Sequence, residues 1–303
     1  MSGAAEGDLP TRADVRDFLV SRRARISPDE VGLPSSGRRR VAGLRREEVA
    51  VLAGVSIEWY TRLEKGHVKG VSEDVLEAVA RALRLDDGER AYLLDLARAA
   101  RAGGRLRGTA PEPLLPPNIQ WLLNSMTLSA AVVINGRQDI LAVNPLARAL
   151  YSPVFDSSAS RDRGHPNLAR FHFTDPGARE FSGNWDATAD ILVASLRAAA
   201  GRNPREAQFQ DLIAELSAAS PEFRDRWSAH NILASCHGTK IYRHPDVGEL
   251  SLDTQSMRLP ITDQEVELMC ATAKPASAAE DKLKLLASWR HPSDHSPNLG
   301  SRR

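Results

Sequence analysis

The chain has 303 residues, about two domains at roughly 150 residues each, and its 42% apolar side chains are enough to give each a core. Its 40 basic and 39 acidic side chains nearly cancel, so the whole-chain charge names no polyanionic partner. No apolar run is longer than residues 130–134, far short of the roughly 18 needed to span a bilayer, and the start MSGAAEGDLP has no signal-peptide pattern, so a cytoplasmic protein with no membrane partner is expected. Two cysteines, Cys236 and Cys270, exclude a disulfide framework, a four-thiolate zinc site and a CxxC redox pair.

Charge is unevenly distributed along the chain. Between Arg12 and Arg46 ten arginines face only Asp14, Asp17, Asp29 and Glu30, a local excess of +6, whereas the chain beyond residue 110 is mildly acidic. An electropositive surface is therefore expected on the first domain. Residues 1–10 read as disordered. Residues 11–102 read as five helices, beginning with one over 11–26 that Thr11 caps and that buries Val15, Phe18, Leu19 and Ile26. An irregular arginine-rich loop follows. A helix over 45–52, a turn at Ala53-Gly54-Val55 and a helix over 57–65 capped by Ser56 form a helix-turn-helix, with Gly54 supplying the positive φ of the corner. Two further helices start near Ser72 and at Asp86-Asp87.

Within that motif Ala50 permits a close helix crossing, and Val55, Tyr60 and Leu63 are spaced to pack inward. Ile57, Glu58, Thr61 and Arg62 must then face outward, where they could meet base edges in a major groove. Arg62 suits guanine, Glu58 a cytosine amine, and Ile57 or Thr61 a thymine methyl. Arg38, Arg39, Arg40, Arg45, Arg46 and Ser56 are candidates for phosphate contacts. The alternative is a solvated arginine-rich face on an ordinary helical bundle.

The segment GGRLRGTAPEPLLPP at 103–117 reads as a linker, and 118–289 as an α+β domain. A helix at 118–126 precedes strands at 130–135 and 139–143, joined by the hairpin signal Asn135-Gly136-Arg137-Gln138. A helix then runs from Asn144-Pro145 through Tyr151. Helices are expected at 166–173, 176–181, 187–200, 205–219 and 221–230, strands at 240–244, 249–258 and 265–273, and a last helix at 278–289. The sum is a five-stranded antiparallel sheet covered by helices, with space for a ligand between the layers. Residues 290–303 read as a disordered tail.

The run GLRREEVAVLAGVSIEWYTRLEKG at 43–66 closely resembles the XRE (Cro/C1-type repressor) helix-turn-helix family, Glu64 followed by Gly66 being that family's usual ending. With the lead-in RRRVAGLRREE at 38–48, it resembles the branch that carries a MmyB-like ligand-binding domain. Landmarks of that domain stand as NPLARAL (144–150), NLARFHF (167–173), SPEFRDRW (220–227), GTKIYRHPDVGELSLD (238–253) and CATA (270–273). The resemblance implies a lambda-repressor-like DNA-binding domain followed by a PAS-like domain that senses a small apolar, fatty-acid-like molecule. Two departures stand out: Val143 where a tryptophan is usual, and Thr254-Gln255 where an aromatic and an acid are usual.

For the ligand site, Trp185, Phe223 and Trp227 offer apolar walls, Lys240, Arg243 and His244 could hold a carboxylate, and Asn144 could touch a ligand. The competing roles are core packing, a solvated strand edge and a strand-to-helix cap. His230, His237 and His244 recur every seven residues, which fits neither helical nor strand ligand spacing, so no metal is expected. Cys236 and His237 are adjacent, and adjacent side chains on an extended segment point to opposite faces, which speaks against a nucleophile and its base. No Walker loop, GxSxG, HExxH or GxGxxG occurs, so neither a cofactor nor an enzymatic activity is expected. The expected function is sequence-specific binding of an operator in double-stranded DNA by a homodimer that answers to a small effector. The alternative is a second domain that only dimerises or binds protein.

Overall fold

The computed structural model describes residues 10–33, 41, 43–68, 70–101, 115–161, 164–202, 206–229, 238–261 and 266–288. The expected disordered ends, most of the 103–117 linker, Arg38, Arg39, Arg40, Cys236, His230 and His237 lie outside these residues. Contacts group the chain into two compact units, one joining Met1–Glu112 to Asp186–Cys236, the other joining Pro113–Trp185 to His237–Arg303. Chain order had suggested a single division at 103–117; by contact, the middle of the second region goes with the first.

In the first unit, α1 spans Pro10–Arg25, α2 Arg46–Ala53, α3 Ile57–Glu64, α4 Glu73–Ala82 and α5 Asp87–Arg101. Helix α1 starts one residue before the expected cap: Pro10 takes the first turn, where its missing N–H costs nothing, and Thr11 is already helical. The loop after it is less irregular than expected, because Asp29–Val31 form a 3-10 turn that Gly32 ends at φ +71°. The N-terminus of α2 is closed by Glu48, whose carboxylate accepts the Arg45 N–H at 2.6 Å. Gly54 ends that helix at φ +68°, as the corner required, and Ser56 Oγ accepts the Trp59 N–H at 3.1 Å to start α3. Phe18, Leu44, Val49, Ala50, Tyr60, Val79, Leu93 and Leu96 fill the core. Three more helices complete the unit: α12, which begins at Trp185 and runs to Arg202, α13 at Ala207–Ala219 and α14 at Pro221–Ser228.

The second unit is built on five antiparallel strands: β1 Ser129–Asn135, β2 Ile140–Val143, β3 Gly238–His244, β4 Gly248–Leu259 and β5 Val266–Thr272, in the order β2-β1-β5-β4-β3. Side chains alternate between the two faces, as the strand period demands. Ala131, Val133, Leu268 and Cys270 pack with Ile119 and Leu123 of α6, Pro117–Ser125. Ala130, Val132, Leu250, Leu252, Met269 and Ala271 look the other way. That inner face is covered by α7 Pro145–Leu150, α8 Ser152–Asp156, α10 Leu168–Thr174, α11 Gly177–Phe181 and α15 Ala278–Ser288; α9, Ser158–Arg161, lies between α8 and α10 in sequence. The β1–β2 turn is closed by Asn135 Oδ1, which accepts the N–H groups of Arg137 at 2.9 Å and Asp139 at 3.0 Å, while Gln138 takes the left-handed conformation.

Candidate DNA-reading and ligand sites

Ile57, Glu58 and Arg62 are exposed on α3 and Thr61 is half-buried, so the four side chains assigned to base reading share one outward face. Tyr60 and Leu63 are buried on the opposite face, and Val55 packs against the same core. Val51, on the last turn of α2, is also exposed.

What holds this face in place is an acid that ends the helix. The Glu64 carboxylate is 1% exposed and accepts from Arg23 Nε of α1 at 2.7 Å and from Arg46 Nε of α2 at 2.7 Å. Arg23 also donates to the Leu44 carbonyl at 2.7 Å, so one guanidinium ties α1 to α3 and to the lead-in of α2. Burial pushes the Glu64 carboxyl up, but the hydrogen bonds and charges of the two arginines outweigh it and hold the group below its ordinary value. Two glycines admit the close approach. A Cβ on Gly43 would come within 2.4 Å of the Arg23 carbonyl oxygen, and one on Gly66, at φ +84°, within 2.4 Å of that of Arg12.

The brace also engages one phosphate candidate. Arg46 is half exposed, and its Nε is committed to Glu64. Arg45 is exposed, with Nη1 3.3 Å from Glu47. Ser56 uses its oxygen as an acceptor for the cap, which leaves only its O–H to donate to a phosphate.

Of the six candidate ligand residues, Asn144, Trp185, Lys240 and His244 fall in the second unit and Phe223 and Trp227 in the first. Asn144 is a cap and a cross-link rather than a ligand contact. Its Oδ1 accepts from Ala147 and Ala131 at 2.8 and 3.1 Å, its Nδ2 donates to Met126 and Ser129 at 2.7 Å each, and all four bonding positions of the amide are used. His244 is also occupied by the protein. Its Nε2 is 3.0 Å from the Ala149 carbonyl oxygen and its Nδ1 accepts the Asp246 N–H at 3.2 Å, so both ring nitrogens have protein partners. Arg243 is exposed and lies 3.7 Å from Glu249. Trp185 stacks on His172 at 4.7 Å under the Arg179 guanidinium, and Phe223 is fully buried against Trp227.

A family model of the MmyB-like transcription regulator ligand binding domain matches residues 115–286, more than half of the chain. The chain belongs to that family. A second model, of a helix-turn-helix domain, matches residues 37–93. No curated protein matches the chain. The MmyB-like regulator thus joins a DNA-binding motif to a ligand-sensing domain, and both matched models are of regulator rather than enzyme type. No helix among the described residues is long and apolar enough to cross a membrane, and no group of three metal-ligating side chains occurs among them.

Sequence reasoning missed a polar point on the inner sheet face of this regulator. Thr254 is 3% exposed and its Oγ1 has no hydrogen-bond partner among the described residues. It pairs with Gly238 of β3 and Ala271 of β5, and Ala271 pairs with Ala130 of β1. One level of the sheet therefore carries side chains no larger than threonine across four strands. On β3, Lys240 is two residues from Gly238 and shares its face, half-buried opposite Leu252. The available signal was the departure from the family at Thr254. Further along β3, Tyr242 meets Tyr151 hydroxyl to hydroxyl at 3.0 Å, and burial raises the Tyr151 phenol well above its ordinary value, keeping it neutral.

Proposed function

We propose that the chain is a homodimeric, sequence-specific transcription regulator that reads double-stranded DNA with Ile57, Glu58, Thr61 and Arg62 and whose affinity is set by a small apolar effector. The braced, outward face of α3 carries the DNA-reading half of this proposal. Arg62 is the guanine reader, since a guanidinium can bridge O6 and N7, while Arg45 and the Ser56 hydroxyl hold phosphates and Arg38, Arg39 and Arg40 belong to the same basic stretch. Dimerisation follows from energetics. One short helix buries too little DNA surface for selectivity, and two copies about a two-fold axis read half-sites one helical turn apart or a multiple of it. The effector must bind the DNA-competent and incompetent states unequally, because only differential affinity shifts the balance.

The unsatisfied Thr254 hydroxyl carries the sensor half of the proposal. A buried hydroxyl without a partner costs about 1–3 kcal/mol, and a ligand acceptor would recover it. Thr254 and the Lys240 ammonium are both donors, which suits a carboxylate, and the small side chains of the row Thr254, Ala271, Ala130 suit an aliphatic chain beside it. The effector class is thus a fatty-acid-like amphiphile. The test is dodecanoate titrated into the protein bound to its own upstream DNA, read by fluorescence anisotropy, with Thr254→Val in parallel. Wild type is expected to change its DNA affinity. Thr254→Val is expected to be about 1 kcal/mol more stable without ligand, having lost an unpaired hydroxyl, and to need about tenfold more dodecanoate. A variant that is less stable and responds to the same dodecanoate concentration would remove Thr254 from the site. A wild type insensitive to dodecanoate and dodecanol alike would leave the second region as a dimerisation module.

A further inference from the structure

The three helices α12, α13 and α14 lie within the span matched by the ligand-binding family, yet by contact they belong to the unit that contains the helix-turn-helix. Their junction with the DNA-binding helices centres on Arg197 of α12, which is 1% exposed. On its own side Arg197 is fixed by α14. Its guanidinium lies 4.3 Å from the centroid of the Trp227 ring, and Nη2 donates to the Trp227 carbonyl. Toward the DNA-binding helices its charge acts on Asp14 of α1 and on the buried Tyr92 of α5. One turn further along α12, Gly201 takes the Tyr92 ring so closely that a Cβ there would stand 2.8 Å from it, and Arg202 pairs with Asp95 of α5 at 3.6 Å. Tyr92 in turn meets Phe18 of α1 edge to face, with ring centroids 5.3 Å apart.

Helix α1 is also the mount of α3. The Arg12 carbonyl, two residues from Asp14, packs against Gly66 at the end of the reading helix, and Arg23 braces Glu64. A continuous packed route therefore runs from α12 through Gly201, Tyr92 and Phe18 to α1, and along α1 to both contacts that fix the C-terminal end of α3. We propose that Arg197 is a positioning residue for DNA recognition. It acts through Tyr92 and its edge-to-face partner Phe18 on the pose of α1, and so couples the helices inserted in the ligand-binding region to the reading face. This rests on α3 being the reading helix. Packed contacts alone do not establish coupling, so the variant must alter a readout that simple loss of packing would leave untouched.

That readout is the ratio of affinities for specific and random DNA. Phosphate contacts dominate random binding and tolerate a shifted helix; base contacts do not. The experiment measures full-length wild type, Arg197→Met, which keeps the apolar stem, and Arg202→Gln, which opens the second clamp, on the protein's own upstream DNA and on a random duplex. Arg197→Met is expected to lower the specific-to-random ratio about tenfold, Arg202→Gln by a smaller factor in the same direction, with random-duplex affinity unchanged. Amide exchange in α3 is expected to rise in both variants. If Arg197→Met does not fold, Arg202→Gln decides. An unchanged ratio in the folded variants overturns the proposal while leaving α3 as the reading helix. A wild type that does not distinguish the two duplexes overturns that underlying reading, and the proposal falls with it.

Discussion

Glu64 and Asp14 are two carboxyl groups in the same helical unit, each within reach of an arginine, and their proton affinities move in opposite directions. Glu64 accepts directly from two guanidinium Nε groups, and the pair holds its carboxyl below the ordinary value against the upward push of burial. At Asp14 burial dominates; the Arg197 charge opposes it without a direct ion pair, Asp17 adds to it, and the carboxyl is pushed up to about 6. The difference shows that an arginine nearby is not enough: hydrogen bonds in good geometry decide whether a buried acid stays charged. It also separates two roles. Glu64 is a fixed brace under α3, whereas Asp14 is a half-buried acid that no direct ion pair with Arg197 holds charged.

The strongest way to break the comparison is to remove the brace. Glu64→Ala leaves Arg23 and Arg46 around an empty site, and a loss of about 3–5 kcal/mol is expected in urea unfolding of the full chain. A loss below 1 kcal/mol would mean that the two ion pairs barely exceed their desolvation cost. Asp14 sharpens the contrast with the opposite sign. Because its folded value lies above the ordinary 3.8, the fold binds that proton more tightly than the unfolded chain. Stability from this group is therefore full below about pH 4, falls as pH rises toward 6, and stays low above it. Asp14→Asn mimics the protonated form. It is expected to stabilise the protein by about 2 kcal/mol at pH 7.5 and by almost nothing at pH 4, as read from thermal unfolding at the two pH values. A variant equally or less stable at pH 7.5 would place Asp14 with Glu64, as a charged partner that the fold needs.

Much of the helix-turn-helix was legible because its signals are local. Gly54, Ser56 and the inward spacing of Tyr60 and Leu63 each act within a few residues. Glu64 was visible as a terminal acid, but its partners are 41 and 18 residues away, a separation that no local period encodes. Five antiparallel strands followed from alternation in five short runs, but their order β2-β1-β5-β4-β3 depends on long-range pairing that no local run encodes; Asn144 before Pro145 proved to be the cap that its residue type favours. The ligand side was harder to read. Trp185 and Trp227 look like one apolar wall in sequence, yet they fall in different units, and the polar point Thr254 showed only as a departure from a family pattern. The grouping of α12 with α1 and α5 depends on Arg197, Gly201 and Arg202 meeting residues about a hundred positions earlier or more.

The central claim is that the exposed face of α3 reads DNA sequence as part of a symmetric pair. It is tested most directly by selecting bound duplexes from a random pool with wild type and with Arg62→Ala, then sequencing them. Wild type is expected to enrich an inverted repeat with half-sites one helical turn apart or a multiple of it, and Arg62→Ala to lose preference at one position, a guanine, in each half-site while keeping the rest. No enriched sequence, or the same motif from both proteins, would contradict the account.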